Sequence, residues 1–507
     1  MAGQRALAAL VFVAGIGTLA VEISASRLLA PYYGSSTIVW ANLIGLVLAS
    51  LSLGYWLGGR LADRRPEPRV LGALVLAAAL WIAATPFVAR PFLDVTVEGI
   101  DEASAGAAIG SFFATLGLFA PSVTLLGMVA PFAIRLALDA VEAAGSVAGR
   151  LYALSTVGSL LGTFLSALLA IPLLGTQRTL LLSAALLALV GAVLVGRRWL
   201  LVPLAVAALA GIPPGAIKAD DDLVYETESR YQYIQVVQRG EARYLRLNEG
   251  VAVHSVWRPD TVLTGGEWDM FLTVPALLRR PVERVAILGN AAGTIARAYG
   301  VFYPQAEIDG VELDPEVSSV GRRWFGLGDN PRLHVRDADA RPFLAATGRR
   351  YDLIVVDAYR QPYIPFYLAT REFFQLARER LRPGGIVALN VASVPRDREL
   401  ARSISGTLAA ELPQVWAWKP LRFNQLVLGL TEPLDRPQLV ERLGRLPARL
   451  RVLGDLLARD VRPVTRVERP WTDDRAPVEW ITDRMILEFA AAGGELEEDP
   501  LPTDPEP

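Results

Sequence analysis

Several short stretches in the second half of the chain combine small residues with carboxylates in patterns suited to holding and transforming a small charged molecule. Gly289-Asn-Ala-Ala-Gly293-Thr294 follows an apolar run, and residues this small let a backbone approach a ligand at a helix amino terminus. The same turn could simply pack a helix onto a sheet. Val311-Glu312-Leu313-Asp314 closes a second strand about 20 residues later, where an acid at a strand tip can hydrogen-bond both ribose hydroxyls of a nucleoside. The two features together favour a nucleoside site over a bare structural turn. Arg336-Asp337-Ala338-Asp339 comes next, and a carboxylate there can accept from an adenine amino group, although Asp339 could instead cap the following helix. Asp357 ends the apolar Tyr351–Val356. An acid at that point of an open α/β sheet faces the crevice where ligands bind, and can take a proton from an amine or orient a cation. Helix capping is the alternative, but the loop Ala358–Leu368, rich in Tyr and Pro, follows Asp357 rather than a helix start.

Alternating strands and helices must position these residues. Tyr225–Val237 and Arg243–Val253 read as strands joined at Arg239-Gly240-Glu241, a small β-hairpin module. Then come strands Arg284–Leu288, Glu307–Glu312, Arg332–Val335, Tyr351–Val356 and Ile386–Val391, with helices at Ala292–Tyr299, Pro315–Phe325 and Thr370–Leu381. Leu381-Arg-Pro-Gly-Gly385 reads as the turn that closes the last helix. This series predicts a mainly parallel, Rossmann-like α/β sheet. Gly494–Pro507, acidic and Pro-rich, reads as a disordered tail.

The first half differs. Ala6–Ser26, Ile38–Leu57, Val70–Phe92, Ala107–Val129, Leu151–Leu173 and Thr179–Val195 each approach the ~20 apolar residues needed to cross a bilayer. Trp199–Ile217 is shorter and is broken by Pro213-Pro214. Arg60, Arg64, Arg65 and Arg69 after the second segment, against Asp94, Glu98, Asp101 and Glu102 after the third, put the amino terminus in the cytoplasm. The soluble half is cytoplasmic if Trp199–Ile217 does not cross, or if Ala107–Leu138, interrupted by Pro121 and Pro131, crosses twice. Glu22 lies inside the first segment with Arg27 five residues on; it either caps a packing contact or forms a functional polar pair. The expected division is a transmembrane helical bundle (1–218), the β module (219–275), the Rossmann-like domain (276–492) and the tail (493–507).

Composition narrows the function. There is no cysteine, which excludes disulfides, thiolate catalysis and Cys-ligated metals; with His254 and His334 as the two histidines, a metal site is not expected. A formal net charge of −2 and no basic stripe argue against nucleic acid as a partner.

The ordered set Tyr231-Gln232, Leu245-Arg-Leu-Asn-Glu-Gly250, Val285–Thr294, Val311–Asp314, Asp337-Ala338, Asp357 and Glu372-Phe-Phe374 resembles the spermidine synthase (polyamine aminopropyltransferase) family. Leu125–Phe132, Gly149–Ala153, and Asp357-Ala-Tyr with Pro365, Leu368, Thr370 and Glu372 narrow the resemblance to membrane-fused spermidine-synthase-like proteins. Gly54–Arg65 is similar to the loop between the second and third helices of major facilitator transporters. The resemblance implies a transferase that moves a propylamine group from decarboxylated S-adenosylmethionine to an amine acceptor. It implies that Gln232 contacts the nucleoside product, Glu312 the ribose, Asp337 and Ala338 the adenine, that Gly289 and Gly293 shape the cofactor loop, and that Asp357 is the catalytic base. Trp268, Asp269, Tyr359 and Arg360 fall on the acceptor side. Three positions depart from the family pattern: Ala292 replaces the acid of the glycine loop, Arg360 replaces the second acid after Asp357, and Glu267-Trp268-Asp269 stands where Tyr-His-Glu is usual. Arg360 disfavours a doubly charged diamine and favours an acceptor that brings a negative group. Two other readings stay open: a methyltransferase using intact S-adenosylmethionine, and a transporter or sensor that binds a nucleoside without turnover. The expected partners are the lipid bilayer, in a multi-pass cell-membrane protein, and a small amine; a homo-oligomer is left open.

Overall fold

The computed structural model describes the chain apart from residues 1, 35–36, 102–105, 139–142, 214–219, 249–251, 360–362, 396, 493–499 and 503–507. It separates into two compact units. One comprises Met1–Asp220 with Glu226–Tyr233, the other Asp221–Tyr225 with Ile234–Pro507.

The first unit is helical: α1 (Ala2–Tyr33), α2 (Thr37–Arg64), α3 (Pro68–Asp101), α4 (Gly106–Leu118), α5 (Ala120–Gly127), α6 (Val129–Ala137), α7 (Ala144–Leu165), α8 (Ile171–Leu174), α9 (Thr176–Val195) and α10 (Leu201–Leu209). Among the described residues six helical stretches are long and apolar enough to cross a membrane: Gln4–Tyr33, Thr37–Arg64, Pro68–Leu93, Ala120–Ala137, Ala144–Leu174 and Thr176–Val195. The backbone ladder continues across both breaks between α4 and α6, through Phe119 N to Thr115 O, Met128 N to Thr124 O and Phe132 N to Met128 O. The run therefore travels one way, and the double crossing expected as an alternative is not formed. α10 is nine residues, about 14 Å, but it extends the 3-10 turn Arg197–Leu200, and Arg178 Nε donates to Ala210 O, so this segment runs back along α9 to that helix's first turn.

After the helices come β1 (Leu223–Glu228), β2 (Tyr233–Arg239), β3 (Ala242–Leu247) and β4 (Val253–Trp257), a four-stranded sheet in sequence order whose Glu226–Tyr233 stretch is grouped with the helices and whose remainder belongs to the second unit. The expected hairpin is thus a meander: the segment read as one strand, Tyr225–Val237, is divided by a turn in which Ser229 Oγ accepts from the Tyr231 and Gln232 amides. Then follow α11 (Glu267–Met270), β5 (Arg284–Leu288), α12 (Thr294–Phe302), β6 (Glu307–Glu312), α13 (Pro315–Trp324), β7 (Leu333–Asp337), α14 (Ala340–Ala346), β8 (Tyr351–Val356), α15 (Arg371–Glu379), β9 (Leu381–Ala392), α16 (Glu399–Glu411), β10 (Gln414–Trp418), β11 (Asn424–Leu430), α17 (Arg436–Leu443), α18 (Arg451–Asp460), β12 (Arg462–Pro463) and α19 (Val478–Ala491). The large sheet has the order β12-β10-β11-β9-β8-β5-β6-β7, parallel from β7 through β9 and antiparallel beyond. Leu381–Gly385 is counted in β9 but keeps the expected turn: the pairing with β8 jumps from Tyr351–Leu381 to Leu353–Ile386, and Gly384 takes φ +77°.

β8 is buried along its whole length and β5 in all but its first residue, which explains their unbroken apolar runs. From β5 the chain crosses through α12 to β6 on one flank, whereas β8 pairs with the opposite flank of β5. The strand order therefore reverses at β5 and β8, the place where open α/β sheets bind ligands. Helices on both faces are started by side-chain caps: Asp314 accepts from Glu316 N, Asp339 from Arg341 N and Thr370 from Phe373 N.

Candidate active site

Three residues with positive φ lie within five positions after β5: Gly289 (+90°), Ala291 (+44°) and Gly293 (+91°). A side chain on Gly289 would start 2.5 Å from Asp357 O and from Ala358 Cα, so this backbone reaches the end of β8 only because it carries none. Asp357 N in turn donates to Leu288 O at 2.9 Å. Ala291, strained at positive φ, is held by Glu312: its N–H donates to Oε2 at 2.9 Å, and Asp314 N donates to Oε1 at 3.1 Å. Each oxygen keeps a further lone pair for a ligand hydroxyl. Burial pushes the Glu312 carboxyl up to about 7, against the lowering effect of those amides. Ala338 N donates to Glu312 O at 2.8 Å, and Ser318 Oγ donates to Asp337 Oδ1 at 2.7 Å. Asp339 caps α14 and accepts from Tyr367 OH, the second of its two sequence readings. Gly289, Gly293, Glu312, Asp337, Ala338 and Asp357 thus line one edge of the sheet.

Ala292, where an acid is usual, is 1% exposed and packs with Ile234, Val236, Val317 and Phe325. Its N–H donates to Ser255 Oγ at 3.0 Å, and Thr294 Oγ1 accepts from Val256 N at 3.0 Å, so β4 clasps the loop.

Asp357 is half-buried, and desolvation pushes its carboxyl up to about 7 although Asn390 and Trp268 both donate to it. The Asn390 Nδ2 bond is 3.0 Å, and Asn390 is itself oriented by Asn424 Nδ2, which donates to its Oδ1 at 3.0 Å. Sequence reasoning missed both asparagines; the legible signal was one polar residue inside the apolar Ile386–Val391. Tyr359 donates to Asn390 O at 2.9 Å and accepts from Ala392 N at 2.7 Å, so its hydroxyl is committed to β9 and its ring is what it offers a ligand. Burial, then the Asp357 charge, holds its phenol neutral.

Asp269 corrects the expectation of an amine ligand. It is 1% exposed, and its carboxylate accepts from Thr264 N and Oγ1 and from Gly265 N, so it ties a loop instead of facing a substrate. Trp268, by contrast, does reach Asp357. Arg360 lies outside the described residues. Gln232 belongs to the stretch grouped with the helices. Among the described residues no cluster of His, Asp or Glu could hold a metal.

The strand order and the edge it loads with Glu312, Asp337 and Asp357 define a class: an open, Rossmann-like α/β sheet with carboxylates at its switch point. Within it, residues 267–416 match the spermine/spermidine synthase domain family. The chain is 36% identical over 193 residues to the "Probable polyamine aminopropyl transferase" of Bifidobacterium longum, covering 38% of this chain and 42% of the relative. It is 34% identical over 179 residues to the polyamine aminopropyltransferase of Vibrio vulnificus, covering 34% and 58%. It is 28% identical over 209 residues to the human eEF1A lysine and N-terminal methyltransferase, covering 36% and 30%. The chain therefore spans about a third to somewhat over half of the length of these relatives.

Proposed function

We propose that the protein is a membrane-bound aminopropyltransferase that moves the propylamine group of decarboxylated S-adenosylmethionine to an amine, with Asp357 as base. The observation that carries this reading is Asp357 itself, a carboxyl poised near neutral pH at the sheet's switch point with two donors fixing its orientation. Asp357 takes a proton from the acceptor ammonium. The freed lone pair forms the new C–N bond as the C–S bond breaks, and the sulfonium sulfur keeps the electron pair and leaves as a neutral thioether, methylthioadenosine. Glu312 would hold the ribose, Asp337 and Ala338 the adenine, and Gln232 the nucleoside product. Trp268 and Tyr359 would wall the acceptor, and Arg360 would select one with a negative group. No metal takes part in this scheme. The arginines after the second crossing favour a cytoplasmic amino terminus.

A methyltransferase is the second reading. It is favoured by the methyltransferase relative and by the loss of Asp269 and Ala292 as amine ligands. Purified protein incubated with putrescine and either decarboxylated or intact S-adenosylmethionine separates the two by mass spectrometry. Methylthioadenosine from the decarboxylated form supports the first reading; adenosylhomocysteine from the intact form alone supports the second and overturns the first.

A further inference from the structure

The acidic tail holds one element that its composition hides. Leu501 is 5% exposed and packs in the same apolar cluster as Leu263, Trp268, Met270 and Phe271. Its N–H donates to Gly265 O at 2.7 Å, and Pro500 Cβ lies 3.2 Å from where a side chain on Gly265 would begin. The Gly265 peptide is therefore gripped twice, its N–H by Asp269 at 2.8 Å and its carbonyl by Leu501. Thr264-Gly265-Gly266 has little stiffness of its own, since glycine carries the largest backbone entropy to lose. A side chain on Gly266 would begin 3.3 Å from the Trp268 ring, so the loop's path decides where that indole stands, and the indole donates to Asp357.

We propose that Pro500–Leu501 is a clip that positions Trp268 against Asp357, which makes Leu501 a positioning residue for the acceptor side. Its catalytic consequence rests on Asp357 acting as the base, but the contact itself does not. Glu312 and Asp337 stand on β6 and β7 and are held there by Ala291, Asp314 and Ser318, so the clip acts on one half of the site.

The test uses the full chain in detergent beside Leu501→Ser, Leu501→Met and a chain stopped after Ala492. Hydrogen exchange is followed over residues 263–269, methylthioadenosine binding by calorimetry, and the Trp268 emission as the component that Trp268→Phe removes. In Leu501→Ser and in the shortened chain, exchange over 263–269 should speed up about tenfold or more, as expected for a local opening. The Trp268 emission should move toward that of exposed indole. Leu501→Met should restore both, and methylthioadenosine affinity should stay within about twofold throughout, because a local opening leaves the strands closed. Unchanged exchange in the shortened chain overturns the clip. So does a parallel fall in methylthioadenosine affinity, which would mean that the whole domain has loosened. Neither readout needs transfer activity, so an absence of turnover would count against the enzyme reading and leave the clip standing.

Discussion

On the proposed nucleoside side of the site, Glu312 and Asp337 sit at the ends of strands and are fixed by backbone amides and Ser318; on the proposed acceptor side, Trp268 sits in the one-turn α11 and packs in a cluster with Leu501 of the tail, while Tyr359 sits in a loop bonded to the β9 backbone. Strand ends are placed by the whole sheet, so a carboxylate there is positioned at little extra cost. Loop residues need individual partners, and a change in any one of them retunes the site. The first arrangement suits a ligand part that does not vary, the second one that does.

The sharpest break of this comparison comes from Asp357→Asn, which keeps shape and removes the proton acceptor. Turnover should fall by about 10²–10⁴, the usual contribution of a general base, while methylthioadenosine binding is retained. Equal losses in both would mean that the two halves are not separable. Next in size, Glu312→Ala should weaken methylthioadenosine binding by roughly ten- to hundredfold, about 1.5–3 kcal/mol for charge-assisted bonds, as read by calorimetry. Because Glu312 also holds the Ala291 amide, thermal unfolding measured alongside shows whether the loop or the fold pays. Unchanged affinity would make Glu312 purely structural. Asn390→Ala should act more gently: losing a donor to the ionised carboxylate raises Asp357 further, so the acid limb of turnover moves to higher pH at constant methylthioadenosine affinity. A limb that stays in place would remove Asn390 from the acceptor side. The smallest effect is one of preference. Arg360→Asp should improve the use of putrescine relative to an amino-acid-like amine, through loss of repulsion at close range. Efficient wild-type use of putrescine with no change on substitution would mean that Arg360 faces solvent.

The same division explains what the sequence disclosed. Arg284–Leu288, Glu307–Glu312 and Tyr351–Val356 were legible to the residue: the first and third because strands buried on both faces read as apolar runs, the second although it buries Asp309, which Arg336, Arg349 and Tyr351 satisfy. Their tips then located Gly289, Glu312 and Asp357. The acceptor side was less legible. Asp269 has the right charge in the right region, yet its carboxylate turns back onto Thr264 and Gly265, a local bond that residue type alone does not reveal. Asn390 meets Asp357, and Asn424 meets Asn390, through strand pairing far apart in sequence. Leu501 was hidden among acidic and proline residues whose composition reads as disorder.

The central claim is that Asp357 works as a base tuned by burial, and the pH dependence of turnover tests it most directly. Its carboxyl, pushed up to about 7, is protonated and idle below that pH and competent above it, so methylthioadenosine release at saturating decarboxylated S-adenosylmethionine and putrescine should rise with pH and then level off. A bound sulfonium favours the ionised form, so the midpoint should fall at or somewhat below about 7. The limb should vanish in Asp357→Asn. A wild-type rate that is flat across this range, or a limb that survives in Asp357→Asn, would contradict the assignment of Asp357 as the base.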